Sequence, residues 1–190
     1  MAFEIIKLIK GKFDMTLFLL LGLVGVFVII MLRKAIVLMQ GNNNKLVRML
    51  QHTKWYQQHW FGGGFLFIVN VVLFTGVGLV LHLITQLSIP FIHLLIMIGA
   101  VITSIVLWVS MNRGWQGSKK NRLKMGFLGS SFYMVLALYI VYKLITLEPS
   151  FPGDDTFMAF IGLLFGLIVA IVAFITCMIF TGLSYQNKSQ

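Results

Sequence analysis

The chain has 190 residues, of which 59% are hydrophobic and only 11% are charged. Soluble domains carry about 25% charged residues and about 45–50% apolar ones, so this composition excludes an ordinary water-exposed surface. A net charge of +10 would suggest nucleic acid as a partner of a soluble protein. Here the basic residues are concentrated between apolar runs, as in the loops of membrane proteins, which argues against nucleic-acid binding.

Five apolar segments approach or exceed the roughly 20 residues that a helix needs to cross the hydrocarbon core of a bilayer. None contains an acidic residue, and Lys143 is the one basic residue within them. Backbone polar groups have no water partners in lipid, so each segment is predicted to be a helix. The chain is therefore predicted to be an all-α, polytopic integral membrane bundle in a single domain, residues 1–190. The predicted transmembrane helices are at about 15–32, 65–87, 91–109, 126–147 and 157–183.

The loop charges predict the orientation of the bundle. Ten of the 15 lysines and arginines lie in the connections after the first and third spans, which contain no acid. Cytoplasmic loops are rich in Lys and Arg, so the N-terminus is predicted outside and the C-terminus in the cytoplasm. Trp55, Trp60, Trp108 and Trp115 fall at span ends on this side, where indole rings are predicted to lie at headgroup depth. Short loops and a cysteine-poor chain favour a bacterial cytoplasmic membrane. The ten basic residues are Arg33, Lys34, Lys45, Arg48, Lys54, Arg113, Lys119, Lys120, Arg122 and Lys124.

Two flanking segments, at about 1–13 and 44–60, are predicted to be amphipathic helices lying in the membrane interface. The apolar face of the second is predicted to contain Leu46, Met49, Leu50, Thr53, Tyr56 and Trp60. Gly62-Gly63-Gly64 is predicted to end this helix and to turn the chain into the bilayer. A basic amphipathic helix suits a leaflet with anionic headgroups, so the lipid bilayer is the first predicted partner.

Small residues recur at intervals of three or four along the fifth span, which places them on one helical face. In lipid, small residues let helix backbones approach closely. This face is therefore predicted to pack against another helix, either within the bundle, in another membrane protein or in a second copy of the chain. Its members are Ala159, Gly162, Gly166, Ala170, Ala173 and Cys177.

His82 and His93 lie on either side of the short connection 88–90, so the antiparallel second and third spans place them at similar depths. Two such imidazoles could ligate haem or a metal, hydrogen-bond a quinone or relay a proton. A histidine near the interface is more often satisfied by a backbone carbonyl or by water. No cofactor is therefore expected, with haem as the alternative.

Asn70 and Lys143 are the remaining candidates for a polar path through the membrane. Asn70 is predicted to bond across helices, and Lys143 to extend toward the interface. The chain has no HExxH, GxSxG or CxxC motif, and the predicted cytoplasmic face has no carboxylate, so an enzyme is not expected. Three hypotheses stay open: a non-enzymatic subunit, assembly or immunity-type factor, a small transporter or channel, and a haem- or quinone-binding redox subunit.

Overall fold

The computed structural model describes residues 22, 24–32, 45–87, 92–149 and 156–183. Within these ranges the chain is all helical and contains no strand. The helices are α1 (Lys45–His52), a 3₁₀ helix (Lys54–Gln57), α2 (His59–Leu87), α3 (Ile92–Gly114), α4 (Lys119–Ile145) and α5 (Thr156–Gly182). Residues 24–31 are also helical.

Helices α2 to α5 are long and apolar enough to cross a membrane. The shortest, α3, has 23 residues, or about 35 Å at 1.5 Å per residue, against a hydrocarbon core of about 30 Å. Four of the five predicted spans are thus confirmed as helices of sufficient length and hydropathy. For the first predicted span, Ile29 and Ile30 pack against the buried core, whereas 15–21 and the interfacial segment 1–13 lie outside the described residues.

Two helices begin earlier in the chain than the hydropathy predicts. Helix α4 starts at Lys119 instead of residue 126, so the second basic connection largely becomes its first turns. The Ser118 side chain caps this start by accepting a hydrogen bond from Asn121 N at 3.4 Å. Helix α2 starts at His59 instead of residue 65. Hydropathy locates the lipid-embedded part of a helix, and capping decides where the helix ends.

The predicted continuous helix over 44–60 is wrong, because α1 ends at His52 and is followed by the separate 3₁₀ helix. Its buried side chains are Val47, Leu50 and Tyr56, whereas Leu46, Met49 and Trp60 of the predicted apolar face are exposed. The buried set differs from the predicted face because this segment packs on the C-terminal end of α3.

The glycine triplet 62–64 is helical, contrary to the prediction that it ends the helix. Gly62 N donates a hydrogen bond to Gln58 O at 2.9 Å, which continues the helical ladder. A Cβ at Gly63 would lie 2.8 Å from the Leu128 side chain. Close packing of α2 against α4 therefore outweighs the weak helix propensity of glycine, which is about 1 kcal/mol per residue.

Burial divides the bundle into two halves. Among the described side chains, the last buried residue is Asn70 in α2 and Tyr133 in α4. The first buried residue is Ile105 in α3 and Ala170 in α5. We call the part with the buried residues the closed half, and the remainder of α2 to α5 the open half. The open half exposes many large apolar side chains, a surface suited to lipid or to other apolar helices.

Candidate functional site

The side chain of Asn70 joins all four long helices where the closed half meets the open half. Its Oδ1 accepts hydrogen bonds from Trp108 Nε1 of α3 at 2.9 Å and from Tyr133 Oη of α4 at 3.5 Å. Its Nδ2 donates to Gly129 O of α4 at 3.0 Å and to Cys177 Sγ of α5 at 3.6 Å. Asn70 is fully buried, so these protein groups replace the water that its amide would otherwise bind.

Glycines bring the helix backbones close enough for this network. A Cβ added at Gly129 would lie 2.6 Å from Leu66 Cβ, which is too close for two carbon atoms. A Cβ at Gly126 would lie 2.8 Å from Gly182 Cα of α5. Helix α4 therefore contacts α2 at Gly129 and α5 at Gly126 almost backbone to backbone, a mode of packing typical of helices in lipid.

A second set of hydrogen bonds satisfies the carbonyl groups at the C-terminal end of α3, farther from the open half than the Asn70 network. Each of the last four carbonyls of α3 accepts a hydrogen bond, and three of the donors are side chains of residues 51–57. The bonds are Tyr56 Oη to Met111 O at 2.8 Å, Gln51 Nε2 to Arg113 O at 3.2 Å, Gln57 Nε2 to Gly114 O at 3.0 Å and Trp115 N to Asn112 O at 3.3 Å. The segment between the first two spans thus acts as a C-terminal cap for α3.

Burial raises the pKa of Tyr56 above its ordinary value, although the charge of Arg122 acts in the opposite direction. The phenol therefore stays protonated and keeps donating to Met111 O. Arg122 itself donates to Asn112 Oδ1 at 3.2 Å and to Trp115 O at 3.0 Å. Asn112 Nδ2 donates to Leu183 O at 2.9 Å, which ties the end of α5 to the same cluster.

The sequence predicted one shared environment for the four tryptophans, but the structure places them in two. Trp55 and Trp60 are exposed, with 68% of Trp60 accessible, but only 4% of Trp108 and 2% of Trp115 are accessible. Trp108 and Trp115 therefore belong to the buried core and have little surface left for contact with lipid headgroups. All four tryptophans lie near span ends in the sequence. The buried core lies at one end of the bundle, so its aromatic residues also fall near helix ends.

Trp108 and Trp115 form a natural pair for testing the network. Trp108 Nε1 bonds to Asn70, whereas Trp115 Nε1 is buried and makes no hydrogen bond within the described part of the chain. We expect Trp108→Phe to lower the free energy of unfolding by about 1 kcal/mol more than Trp115→Phe, because only the first change removes a hydrogen bond. The difference in stability between the two variants is measured by heating each protein in detergent and recording how fast a maleimide labels the buried Cys177. Equal losses in the two variants would contradict the proposed contribution of Asn70.

The predicted small-residue face of α5 is covered along only part of its length. Ala170 and Cys177 are buried, and Gly166 and Ala173 are half-buried. A Cβ at Gly166 would lie 3.6 Å from the side chain of Ile140 in α4. Ala159 and Gly162 are exposed, and a Cβ at Gly162 would have no atom within 4 Å in the described structure. The face is therefore buried in the closed half, still contacts α4 at Gly166, and is exposed at its other end.

The other predicted site residues lie outside the Asn70 network. His82 and His93 lie on α2 and α3 in the open half, where both side chains are exposed. Lys143 is exposed on α4, with its ammonium 5.9 Å from the centroid of the Tyr139 ring. Of the two residues of the predicted polar path, only Asn70 belongs to the buried network. No group of three or more His, Cys, Asp or Glu that could hold a metal occurs within the described ranges.

Several residues were not assigned to the buried hydrogen-bond networks from the sequence, among them Trp108, Tyr133, Asn112 and Arg122. The available signal was the presence of Asn70 within an apolar run, which requires hydrogen-bonding partners on other helices. Nothing in the sequence identifies those partners, because aromatic rings suit both lipid and core.

The described chain is thus an all-helical protein with four helices that are long and apolar enough to cross a membrane and a buried polar network toward one end. Comparisons with models of protein families, with curated proteins and with solved structures find no match.

Proposed function

We propose that this chain is a non-enzymatic subunit of a membrane complex, in which the open half receives a transmembrane helix of another protein. The observation that carries the proposal is that burial stops within about two turns of the Asn70 network in each of α2, α3, α4 and α5. The closed half is tied together by hydrogen bonds between its own groups, and it would serve as a fixed base. The open half offers apolar surface from the same helices, which a partner helix would cover.

The topology proposed for this function has five spans in a bacterial cytoplasmic membrane, with the N-terminus outside and the C-terminus inside. The described basic residues support it, because they lie mainly at the closed end of the bundle. The open half would then lie in the outer leaflet. Ala159 is exposed, and an added Cβ at Gly162 would have no described atom within 4 Å, so a second backbone could approach α5 closely there.

Crosslinking in native membranes tests this proposal. The photoreactive analogue benzoyl-phenylalanine is placed at Phe160, beside the uncovered part of α5, or at Phe61 in the closed half. Both side chains are exposed, so they differ in position more than in accessibility. We expect Phe160 to give one adduct larger than the monomer and Phe61 to give none. Gly162→Leu should reduce the adduct several-fold. Gly64→Leu should leave it unchanged, because Gly64 lies in the closed half of α2 and its added Cβ would have no atom within 4 Å in the described structure.

Two results would refute the partner helix. Equal adducts from Phe160 and Phe61 would indicate random collisions in the membrane. An adduct of monomer size at Phe160 would show that another part of the same chain covers the open half.

The two alternative functions have less support. A transporter that uses Asn70 would need its amide for a solute, but that amide contacts Gly129, Cys177 and Trp108. A redox subunit would use His82 and His93, and would show a haem absorption band that His82→Ala removes. Solute flux into liposomes that is lost in Lys143→Ala would favour the transporter.

A further inference from the structure

A surface groove of about 530 Å³ lies beside α2, α4 and α5 at the closed end of the bundle. Its apolar lining includes Phe127 and Leu128 of α4 and Met178 of α5. His59 and Trp60, at the start of α2, and Lys124 of α4 complete the lining, which exposes almost only apolar atoms to the groove. The volume falls within the range of about 300–1,000 Å³ that is typical of ligand sites.

Most of the apolar lining lies deeper in the bundle than the two residues with ionisable side chains. His59 and Trp60 are the first residues of α2, whereas Phe127 lies three residues, or about one turn, deeper in α4 than Lys124. Lys124 and His59 therefore lie toward the end of the bundle, together with the apolar Leu123, and Phe127, Leu128 and Met178 lie toward its middle. A molecule that matches this gradient has a polar group at one end and a hydrocarbon chain at the other.

The charge at this end of the bundle selects the sign of the polar group. The described residues there include eight lysines and arginines and no acidic residue. A cluster of this kind attracts anionic headgroups by about 1 kcal/mol per basic residue near the membrane surface. The eight are Lys45, Arg48, Lys54, Arg113, Lys119, Lys120, Arg122 and Lys124.

We propose that the groove binds one anionic phospholipid. Its phosphate lies beside Lys124 and His59, and one acyl chain runs along Phe127, Leu128 and Met178. Because the lining residues belong to three helices, the bound lipid holds α2, α4 and α5 together at the membrane surface. This site is independent of the partner helix proposed for the open half.

Native mass spectrometry of the full chain in detergent tests the site. The protein is mixed with equal amounts of phosphatidylglycerol and phosphatidylcholine that carry identical acyl chains. We expect the first bound lipid to be phosphatidylglycerol, with a preference of about fivefold or more. Lys124→Gln should bring the preference close to one, and Lys124→Arg should retain it. Lys120→Gln, which removes the same charge one turn away and outside the groove, should change it by less than twofold.

Three outcomes would overturn the proposal. They are equal binding of the two lipids by the unmodified chain, an equal loss in Lys120→Gln and Lys124→Gln, and displacement of the lipid by inorganic phosphate at matched concentration. The second would assign the preference to the overall charge of the closed end, and the third would assign it to the anion without its acyl chains. Lys124 is exposed, and circular dichroism of each variant verifies that its helix content is unchanged.

Discussion

Gly129→Ala is expected to lower the free energy of unfolding by about 3 kcal/mol, the largest effect expected for adding a methyl group to any described glycine. The added Cβ would lie 2.6 Å from Leu66 Cβ, and Leu66 is fully buried, so its side chain has no free volume to enter. Separation of α2 from α4 would also lengthen the hydrogen bond from Asn70 Nδ2 to Gly129 O, now 3.0 Å. Alanine is the better helix former by about 1 kcal/mol, and the steric cost has to exceed that gain.

The single cysteine provides the measurement. Cys177 is fully buried in the closed half, so a thiol-reactive maleimide labels it when the helices separate. The midpoint of labelling on heating should fall by roughly 6–12 °C in Gly129→Ala, at 2–4 °C per kcal/mol for a chain of this size.

Gly64→Ala is the matched control, because a Cβ at Gly64 would have no atom within 4 Å in the described structure. It should leave the midpoint unchanged or raise it slightly. Leu66→Ala should cost less in the Gly129→Ala background than in the unmodified chain, because it removes the Leu66 Cγ and Cδ2 atoms that the added methyl group contacts. If Gly129→Ala and Gly64→Ala behaved alike, the close contact of α2 with α4 would be wrong.

Asn70→Leu is expected to cost about 2–3 kcal/mol, because it removes the acceptor of two hydrogen bonds at once. The side chain keeps a similar volume, but Trp108 Nε1 and Tyr133 Oη lose their contact with Asn70 Oδ1 in a buried site. The labelling midpoint of Cys177 should fall by roughly 4–12 °C. Thr75→Val, at an exposed position of the same helix, should leave it unchanged.

A double-mutant cycle separates the network from a general effect of substitution. Trp108→Phe should cost less in the Asn70→Leu background than in the unmodified chain, since its hydrogen bond is already absent. Additive losses from Asn70→Leu and Trp108→Phe would show that the two side chains do not interact. The circular dichroism spectrum of each folded variant should still be that of a helical protein, because these substitutions alter packing between helices and not the helices themselves.

The positions of α2 to α5 follow from the sequence with little help from tertiary contacts. Each is a long apolar run, and a helix is the one way for such a run to satisfy its own backbone in lipid. The positions of the helix ends were predicted less accurately from the sequence, and α4 is the example. Its first turns contain four basic residues that hydropathy assigned to a loop. They are helical from Lys119 onward because the Ser118 cap and the contacts of Arg122 support them.

The small-residue face of α5 illustrates how far the sequence determined the interior. Its spacing predicted close packing, and Ala170 and Cys177 of this face are buried in the closed half. The sequence did not indicate that Ala159 and Gly162 would be uncovered, because the same spacing continues through both halves. That difference depends on where α4 lies against α5.

The sequence by itself determined the class of secondary structure, the identity of the four long helices and the crowding of basic residues beside them. Only the tertiary structure decided that Asn70 bonds to Trp108, that Trp115 is buried while Trp60 is exposed, and that the segment before α2 caps α3. The physical reason is that lipid and protein core are both apolar. In a soluble helix the hydrophobic face marks the interior, but a membrane helix is apolar on every side, so contacts between helices decide which side is buried.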